Sequence, residues 1–209
     1  MSGEDYGNNV FLNCPFDQDY DAILQAVSFC LIYLGFNPRF ARERADSAEV
    51  RIGKIRELIE QSRYSIHDLS RLQAKKAKEF YRLNMPFELG IDYGCRQYMA
   101  GHDDKRLLVL EEKQYRYQAA LSDLAGCDIE SHGGSFEQAV RKVRNWIVGA
   151  AGIAGAAGAQ RVLDAYADFQ EWYFERQTAL GFAEADILDY STPELLAAMR
   201  EWVAAGKPV

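Results

Sequence analysis

One glutamate stands in an apolar segment that otherwise suits a buried helix. The segment reads NMPFELGIDYG, residues 84–94, and Glu88 is its first acidic residue. Pro86 suits the first turn of a helix, where a missing N–H costs nothing, and Asn84 is a favourable N-cap. Glu88 would then lie near the positive end of the helix, which favours its ionised form. It is either a simple partner of the helix dipole or a catalytic carboxylate.

Further polar residues follow the predicted strands. The sequence NCPFDQDY comes after the first strand, and HDLSR ends the third. In an open parallel sheet, ligands bind beyond the carboxyl ends of the strands, where neighbouring connections diverge to opposite faces. We therefore expect one crevice formed by Asn13, Cys14, Pro15, Phe16, Asp68, Ser70, Asn84 and Glu88.

Several of these side chains have both a binding and a structural interpretation. Asp68 could orient a ribose or hold the Asn13 loop, or it could make strand-end hydrogen bonds. Phe16 could stack on a base or on nicotinamide, or pack in the core. Tyr115 and Arg116, in QYRYQ after the fourth strand, could close the crevice.

Positive charge after the second strand offers phosphate contacts. Arg39, Arg42 and Arg44 are candidates because a guanidinium matches phosphate bidentately, and solvated charge is the alternative. The run KKAK, residues 75–78, reads as a solvated loop, with phosphate or partner binding as the alternative.

The histidines and cysteines do not predict a metal site. His67 lies inside a strand and is expected to be a packed, hydrogen-bonded ring, whereas His102 and His132 lack partners at metal spacing. The cysteines form no CxxC pair, so we expect reduced and mostly buried thiols of a cytosolic protein; they are Cys14, Cys30, Cys95 and Cys127. We expect no metal and no prosthetic group.

The elements that must position these residues alternate between short apolar runs and segments of helical period, which is typical of a parallel α/β sheet. The strand candidates are VFLN at 10–13, NPRFA, YSIHDLS, KRLLVLE at 105–111 and DIESH. Helices are predicted between them, including residues 51–63 and YQAALSDLAG. In SFEQAVRKVRNWIVGAAG, Ser135 and Gln138 offer a capping box. We predict a flavodoxin-like, doubly wound, five-stranded parallel sheet of order 2-1-3-4-5.

The chain divides into three predicted regions. Residues 8–148 form the α/β domain, and 149–160, rich in glycine and alanine, read as a linker or a loosely packed turn. Residues 161–209 hold two amphipathic helices that form a C-terminal extension. Their aromatic residues are expected to pack on the main domain or on a second subunit.

Composition excludes several classes of function. The 209 residues carry a net charge of -7, which argues against general affinity for nucleic acid or anionic lipid. The polar N-terminus is no secretory signal, and no apolar run approaches the roughly 18 residues that span a bilayer. We expect a cytoplasmic protein.

The arrangement resembles the Toll/interleukin-1 receptor (TIR) domain and its relatives, the nucleoside 2-deoxyribosyltransferase-like proteins. The resemblance rests on VFLNCPFDQDY, YSIHDLS and FELGIDYG and covers about residues 8–148. The whole chain is similar to a bacterial family of TIR-like proteins that share blocks like VFLNCPFD, RYSIHDLSR, NMPFELG, YRYQ and VRNW. It lacks the serine-rich, tryptophan-cysteine segment that usually precedes the TIR glutamate.

This resemblance implies attack on an N-glycosidic bond to ribose. NAD or a related nucleotide would be the substrate, and Glu88 would be the carboxylate that stabilises an oxocarbenium-like transition state. It also implies a homo-oligomer, with a possible protein partner in a bacterial anti-phage defence system. Two alternatives stay open: a module that senses nucleotide or assembles without turnover, and an enzyme acting on nucleosides.

Overall fold

A computed structural model describes residues 5–43, 48–71, 83–124, 126–189 and 191–206. The strands are β1 (Asn9–Asn13), β2 (Asn37–Arg39), β3 (Tyr64–Asp68), β4 (Arg106–Glu111) and β5 (Glu130–Ser131). The helices are α1 (Asp21–Tyr33), α2 (Arg51–Glu60), α3 (Asn84–Tyr98), α4 (Phe136–Ala151), α5 (Ala159–Ala179), α6 (Glu184–Leu188) and α7 (Thr192–Ala204). Residues 75–78 lie outside the described residues.

Within these ranges, the strands form one parallel five-stranded sheet of order β2-β1-β3-β4-β5, which confirms the predicted fold. The register pairs Asn13 with His67 and Asp68 with Leu110. The carboxyl ends of β1, β3 and β4 therefore lie side by side along one edge, which we call the carboxyl edge. The connections diverge between β1 and β3, as expected for a ligand site.

Strand alternation sorts the side chains between two helical layers. Val10 and Leu12 of β1 pack in the large core cluster under α1 and α4, while Phe11 packs with α2 on the opposite face. Every residue of β1 and β3 is buried, because helices cover both faces of the sheet. Asn13 and His67 accordingly face the α2 and α3 layer, and Asp68 faces the α1 and α4 layer.

The C-terminal helices pack against the α/β domain. The buried aromatics of α5 and α7 belong to the same core cluster as α1; they are Tyr166, Phe169, Tyr173 and Trp202. Residues 149–160 include the end of one helix and the start of the next. The helix α4 continues to Ala151, where Gly152 ends it with a positive φ of 68°, and α5 already begins at Ala159.

Some local predictions are confirmed and others are wrong. Ser135 caps α4 by accepting a hydrogen bond from the Gln138 N–H, which is the Ser135 half of the predicted capping box. The helix predicted over YQAALSDLAG is wrong: two 3-10 turns, Arg116–Ala119 and Ser122–Leu124, join β4 to β5. No helix in the described part of the chain is long and apolar enough to cross a bilayer.

Candidate functional site at the carboxyl edge

The buried face of α3 carries two acids. Its buried residues are Met85, Glu88, Leu89 and Asp92, spaced three and four apart along one side of the helix. Asn84 is the first helical residue, and Leu83 takes the N-cap position, so the predicted cap is wrong by one residue. The side chain of Asn84 is exposed. A helix face that ordinarily buries only apolar groups thus carries two carboxylates to the sheet.

Glu88 lies under the side chain of Arg51, the first residue of α2. The Arg51 Nη2 atom donates to Glu88 Oε1 at 3.4 Å, and the two side chains are 51% and 6% exposed. Burial raises the pKa of Glu88 above its ordinary value, although the Arg51 charge and hydrogen bond oppose the rise. Glu88 is the fifth residue of α3, beyond the first turn where the dipole acts.

Asn13 joins β1 to the start of α3. Its Nδ2 group donates to the Met85 carbonyl at 2.8 Å and to His67 Nδ1 at 2.9 Å. Because Nδ1 accepts, His67 carries its proton on Nε2, which donates to Asp92 Oδ2 at 3.0 Å. Asn13 therefore holds α3, the helix that carries Glu88, at two points. It bonds directly to the Met85 carbonyl, and it reaches the Asp92 side chain through His67.

Asp68 belongs to a second network on the opposite face of the sheet. Its Oδ2 accepts from the Tyr20 hydroxyl at 2.7 Å and from His132 Nε2 at 3.0 Å, and its Oδ1 accepts from the Ser70 N–H at 2.8 Å. Burial raises the pKa of Asp68, but the His132, Ser70 and Tyr20 hydrogen bonds outweigh it, so the pKa lies below its ordinary value. Asp68 is fully buried, and both of its oxygens are used within the protein.

This second network is not a hydrolytic triad. Ser70 Oγ lies 3.1 Å from His132 Nε2, the same nitrogen that bonds to Asp68, while His132 Nδ1 accepts from the Gly134 N–H at 3.1 Å. In a triad, the serine and the aspartate contact different nitrogens of the ring. The network instead ties the loop after β3 to the loop before α4.

The loop after β1 lies between the two networks. Cys14 and Pro15 are buried. Burial, and then the charges of Asp68 and Glu88, raise the pKa of the Cys14 thiol, while Arg42 opposes the rise. Cys14 thus lies within electrostatic range of both acids and is an uncharged thiol.

Phe16 is half-buried and is covered by Arg42. The guanidinium lies 4.8 Å from the ring centroid, and its Nη2 group donates to the Phe16 carbonyl at 2.7 Å. Arg39 instead pairs with Glu43 at 2.7 Å. Arg44 lies outside the described residues. Arg42 is therefore the arginine of this group that stands exposed beside the carboxyl edge.

Two unusual features follow β4. Tyr115 is exposed and has a φ of 66°, a left-handed conformation that non-glycine residues rarely adopt, and half-buried Arg116 begins the next 3-10 turn. Glu111, the last residue of β4, is 1% exposed, and neither of its carboxylate oxygens completes a hydrogen bond. Burial raises the pKa of Glu111, although the backbone N–H groups of Tyr117 and Arg116 and the Arg116 charge oppose the rise.

Glu111→Gln is expected to raise the free energy of unfolding at neutral pH by about 1 kcal/mol, because it replaces a buried carboxylate, whose charged form burial disfavours, with a neutral side chain of the same shape. A raised folded-state pKa means that the acid stabilises below its unfolded pKa, and that this contribution is lost as pH rises through the folded pKa. The gain should therefore be present at pH 8 and vanish near pH 4, as measured by urea unfolding. Glu112→Gln controls for net charge, and lower stability of the Glu111 variant at pH 8 would contradict the prediction.

Sequence reasoning missed several members of these networks. Asp92 could have been found, because it lies four residues after Glu88 on the same helix face. Arg51, Lys105 and His132 reach their partners across 37, 13 and 64 residues of sequence, and no local pattern marks them. Across the described ranges, no three or more His, Cys, Asp or Glu side chains are grouped so that they could hold a metal ion.

A cavity of about 430 Å³ lies elsewhere, between α5, α6 and α7. Tyr173, Phe182 and Glu194 are among the residues that line it, and the residues of the carboxyl edge are not. Its size would suit a small molecule. This cavity is therefore separate from the residues of the carboxyl edge.

Comparisons of the chain with protein-family models, with curated proteins and with solved structures found no match.

Proposed function

We propose that this chain is a TIR-like N-glycosidase that acts on NAD or a related nucleotide, as a glycohydrolase or an ADP-ribosyl cyclase, with Glu88 as the catalytic carboxylate. The observation that carries the proposal is a buried glutamate on the helix after β3, beside the point where the connections of β1 and β3 diverge. The sequence blocks that resemble bacterial TIR-like proteins, and the matching sheet order, support it.

The chemistry needs few groups. Cleavage of the bond between ribose and nicotinamide passes through an oxocarbenium-like transition state, and a nearby carboxylate stabilises its positive charge. Nicotinamide leaves as a neutral base from a cationic bond, so one essential glutamate suffices without a general acid or a prosthetic group. Low polarity around Glu88 strengthens the interaction of its ionised form with developing charge.

Other residues of the edge take supporting roles in this proposal. Asn13 positions α3 through the Met85 carbonyl, and Asp68 holds the loops around the crevice rather than contacting ribose. Phe16 and Tyr115 supply aromatic surface for a base. Arg42 and Arg116 supply charge for phosphates.

Glu88→Gln is expected to lower the rate of NAD cleavage at least about 100-fold, because removal of one preorganised group that stabilises transition-state charge costs about 10²–10³ in rate. The assay follows the release of nicotinamide by liquid chromatography. Glu171→Gln, an exposed substitution on α5, is the matched control and should retain full activity. Equal turnover by wild type and Glu88→Gln would refute the catalytic role.

A second candidate function is a module that senses nucleotide or assembles without turnover. It is favoured by the 6% exposure of the Glu88 side chain beneath Arg51, and by the exposed apolar residues Leu83, Phe87 and Tyr98 along the outer side of α3. Such a surface would suit a second copy or a defence partner. A nucleotide that raises Tm but is recovered intact would support this function. Cleavage of free nucleosides in preference to NAD would instead support a deoxyribosyltransferase-like enzyme.

A further inference from the structure

The contact between Arg51 and Glu88 joins a long, half-exposed side chain to a buried one. Arg51 is half-exposed on a long side chain, while Glu88 is buried on the inner face of α3. The bond uses one terminal nitrogen and one carboxylate oxygen at 3.4 Å, which is longer than the 2.7–2.9 Å of a strong charge-assisted bond. The Arg51 side chain can therefore move away from Glu88 into solvent, whereas Glu88 cannot follow it.

Arg51 is also placed unfavourably for helix stability. It is the first residue of α2, where the positive end of the helix dipole disfavours a cation. Arg51 and the positive end of α2 together place positive potential at the carboxyl edge. Such a position suits an anion, and a guanidinium can bind a phosphate through two parallel hydrogen bonds.

We infer that Arg51 is a positioning residue that covers Glu88 in the ligand-free protein and moves to a phosphate of the bound nucleotide, which uncovers the carboxylate for the sugar. The inference rests on the proposed function, and it names the substrate class within it: a nucleotide bearing phosphate, rather than a free nucleoside. It adds a residue outside the strand-end loops to the site.

Binding of ADP and adenosine tests the inference without any turnover. Isothermal titration of wild type with ADP should show binding that weakens about 10-fold or more in Arg51→Ala, because a bond between charged groups contributes about 1.5–3 kcal/mol. Adenosine, which has no phosphate, should lose no affinity in Arg51→Ala. Arg56→Ala, an exposed position on the same helix, is the matched control and should bind ADP like wild type.

A second binding experiment tests whether Arg51 covers Glu88 in the ligand-free protein. Glu88→Gln removes the charge that holds Arg51, so the guanidinium is released and ADP should bind several-fold more tightly than to wild type. Arg51→Lys should recover part of the ADP affinity, since an ammonium keeps the charge but loses the bidentate geometry. If Arg51 only stabilised the fold, ADP binding would not become weaker in Arg51→Ala and tighter in Glu88→Gln.

The rates at which the protein cleaves two substrates distinguish failure of this inference from failure of the proposed function. NAD carries phosphate and nicotinamide riboside does not, although they share the scissile bond, so Arg51→Ala should raise KM for NAD and should not raise KM for the riboside. If wild type cleaves neither compound but ADP binding depends on Arg51, the proposed function fails and the phosphate role stands. ADP binding that is absent from wild type or equal in Arg51→Ala, or equal losses for both substrates, would overturn the inference.

Discussion

Lys105→Met is expected to lower the free energy of unfolding by about 3–5 kcal/mol, because it leaves a buried carboxylate without its cation. The Lys105 ammonium is fully buried and lies 3.1 Å from Asp92 Oδ1. It also donates to the carbonyls of Ile59, at 2.8 Å, and Ser62. Methionine has a similar unbranched shape and fills the same space, so the loss reports charge and hydrogen bonds rather than a cavity.

Urea unfolding measures this loss, and a drop in Tm of roughly 10 °C is its thermal equivalent. Lys142→Met is the matched control: Lys142 pairs with Glu130 at 2.7 Å on the surface, where an ion pair contributes at most about 1 kcal/mol. The double variant Lys105→Met with Asp92→Asn should recover more than about 1 kcal/mol, since an amide accepts from His67 without leaving a buried charge. Equal losses of unfolding free energy in Lys105→Met and Lys142→Met would show that the buried ion pair contributes no more than the surface pair.

The same network fixes the sign of a pH dependence. Burial raises the pKa of Asp92, but the His67 hydrogen bond and the Lys105 charge outweigh it, so the pKa lies below its ordinary value. A depressed pKa gives stability that is present above the unfolded pKa and is lost as pH falls through the folded pKa. The difference between wild type and Lys105→Met should therefore shrink in acid.

The fold followed from the sequence where burial leaves a periodic signal. The short strands β1 and β3 are buried on both faces, and the α1 pattern between them has helical period, so the order of elements and the sheet order could be predicted. The connection between β4 and β5 could not be predicted in this way. Tyr115 takes a left-handed conformation, and the Tyr117 hydroxyl donates to the Leu124 and Cys127 carbonyls, which holds the chain in tight turns where its composition predicts a helix.

The site was predictable to the extent that topology alone determines it. Residues that end parallel strands lie on a common edge, which brings Asn13 to the start of α3 as expected. Topology does not say which face of the sheet a side chain enters. Asp68 faces the α1 layer and bonds to Tyr20 and His132, so it enters the face of the sheet opposite to the α3 layer that carries Glu88. The partner that covers Glu88 is a cation from α2, a residue that periodicity marks only as surface.

Phe29→Ala is expected to lower the free energy of unfolding by about 3–5 kcal/mol, the usual cost of removing a buried aromatic ring. Phe29 of α1 is fully buried, and its ring centroid lies 5.2 Å from that of Tyr166, 5.4 Å from Phe169 and 5.7 Å from Trp202. One side chain of the α/β domain thus contacts both α5 and α7. Its loss should weaken the attachment of the C-terminal helices as well as the core.

Unfolding in urea, followed by tryptophan fluorescence and by circular dichroism, separates these two effects. If α5 and α7 fold as one unit with the sheet, both signals of wild type should change at the same urea concentration, because packing through Phe29 makes the layers cooperative. In Phe29→Ala the fluorescence change should come first, since the cluster around Trp202 loses its central ring. Phe174→Ala, a half-exposed aromatic on α5, should change stability by less than about 0.5 kcal/mol. Separate transitions already in wild type would show instead that the C-terminal helices form an independent unit, whatever the Phe29 ring contributes.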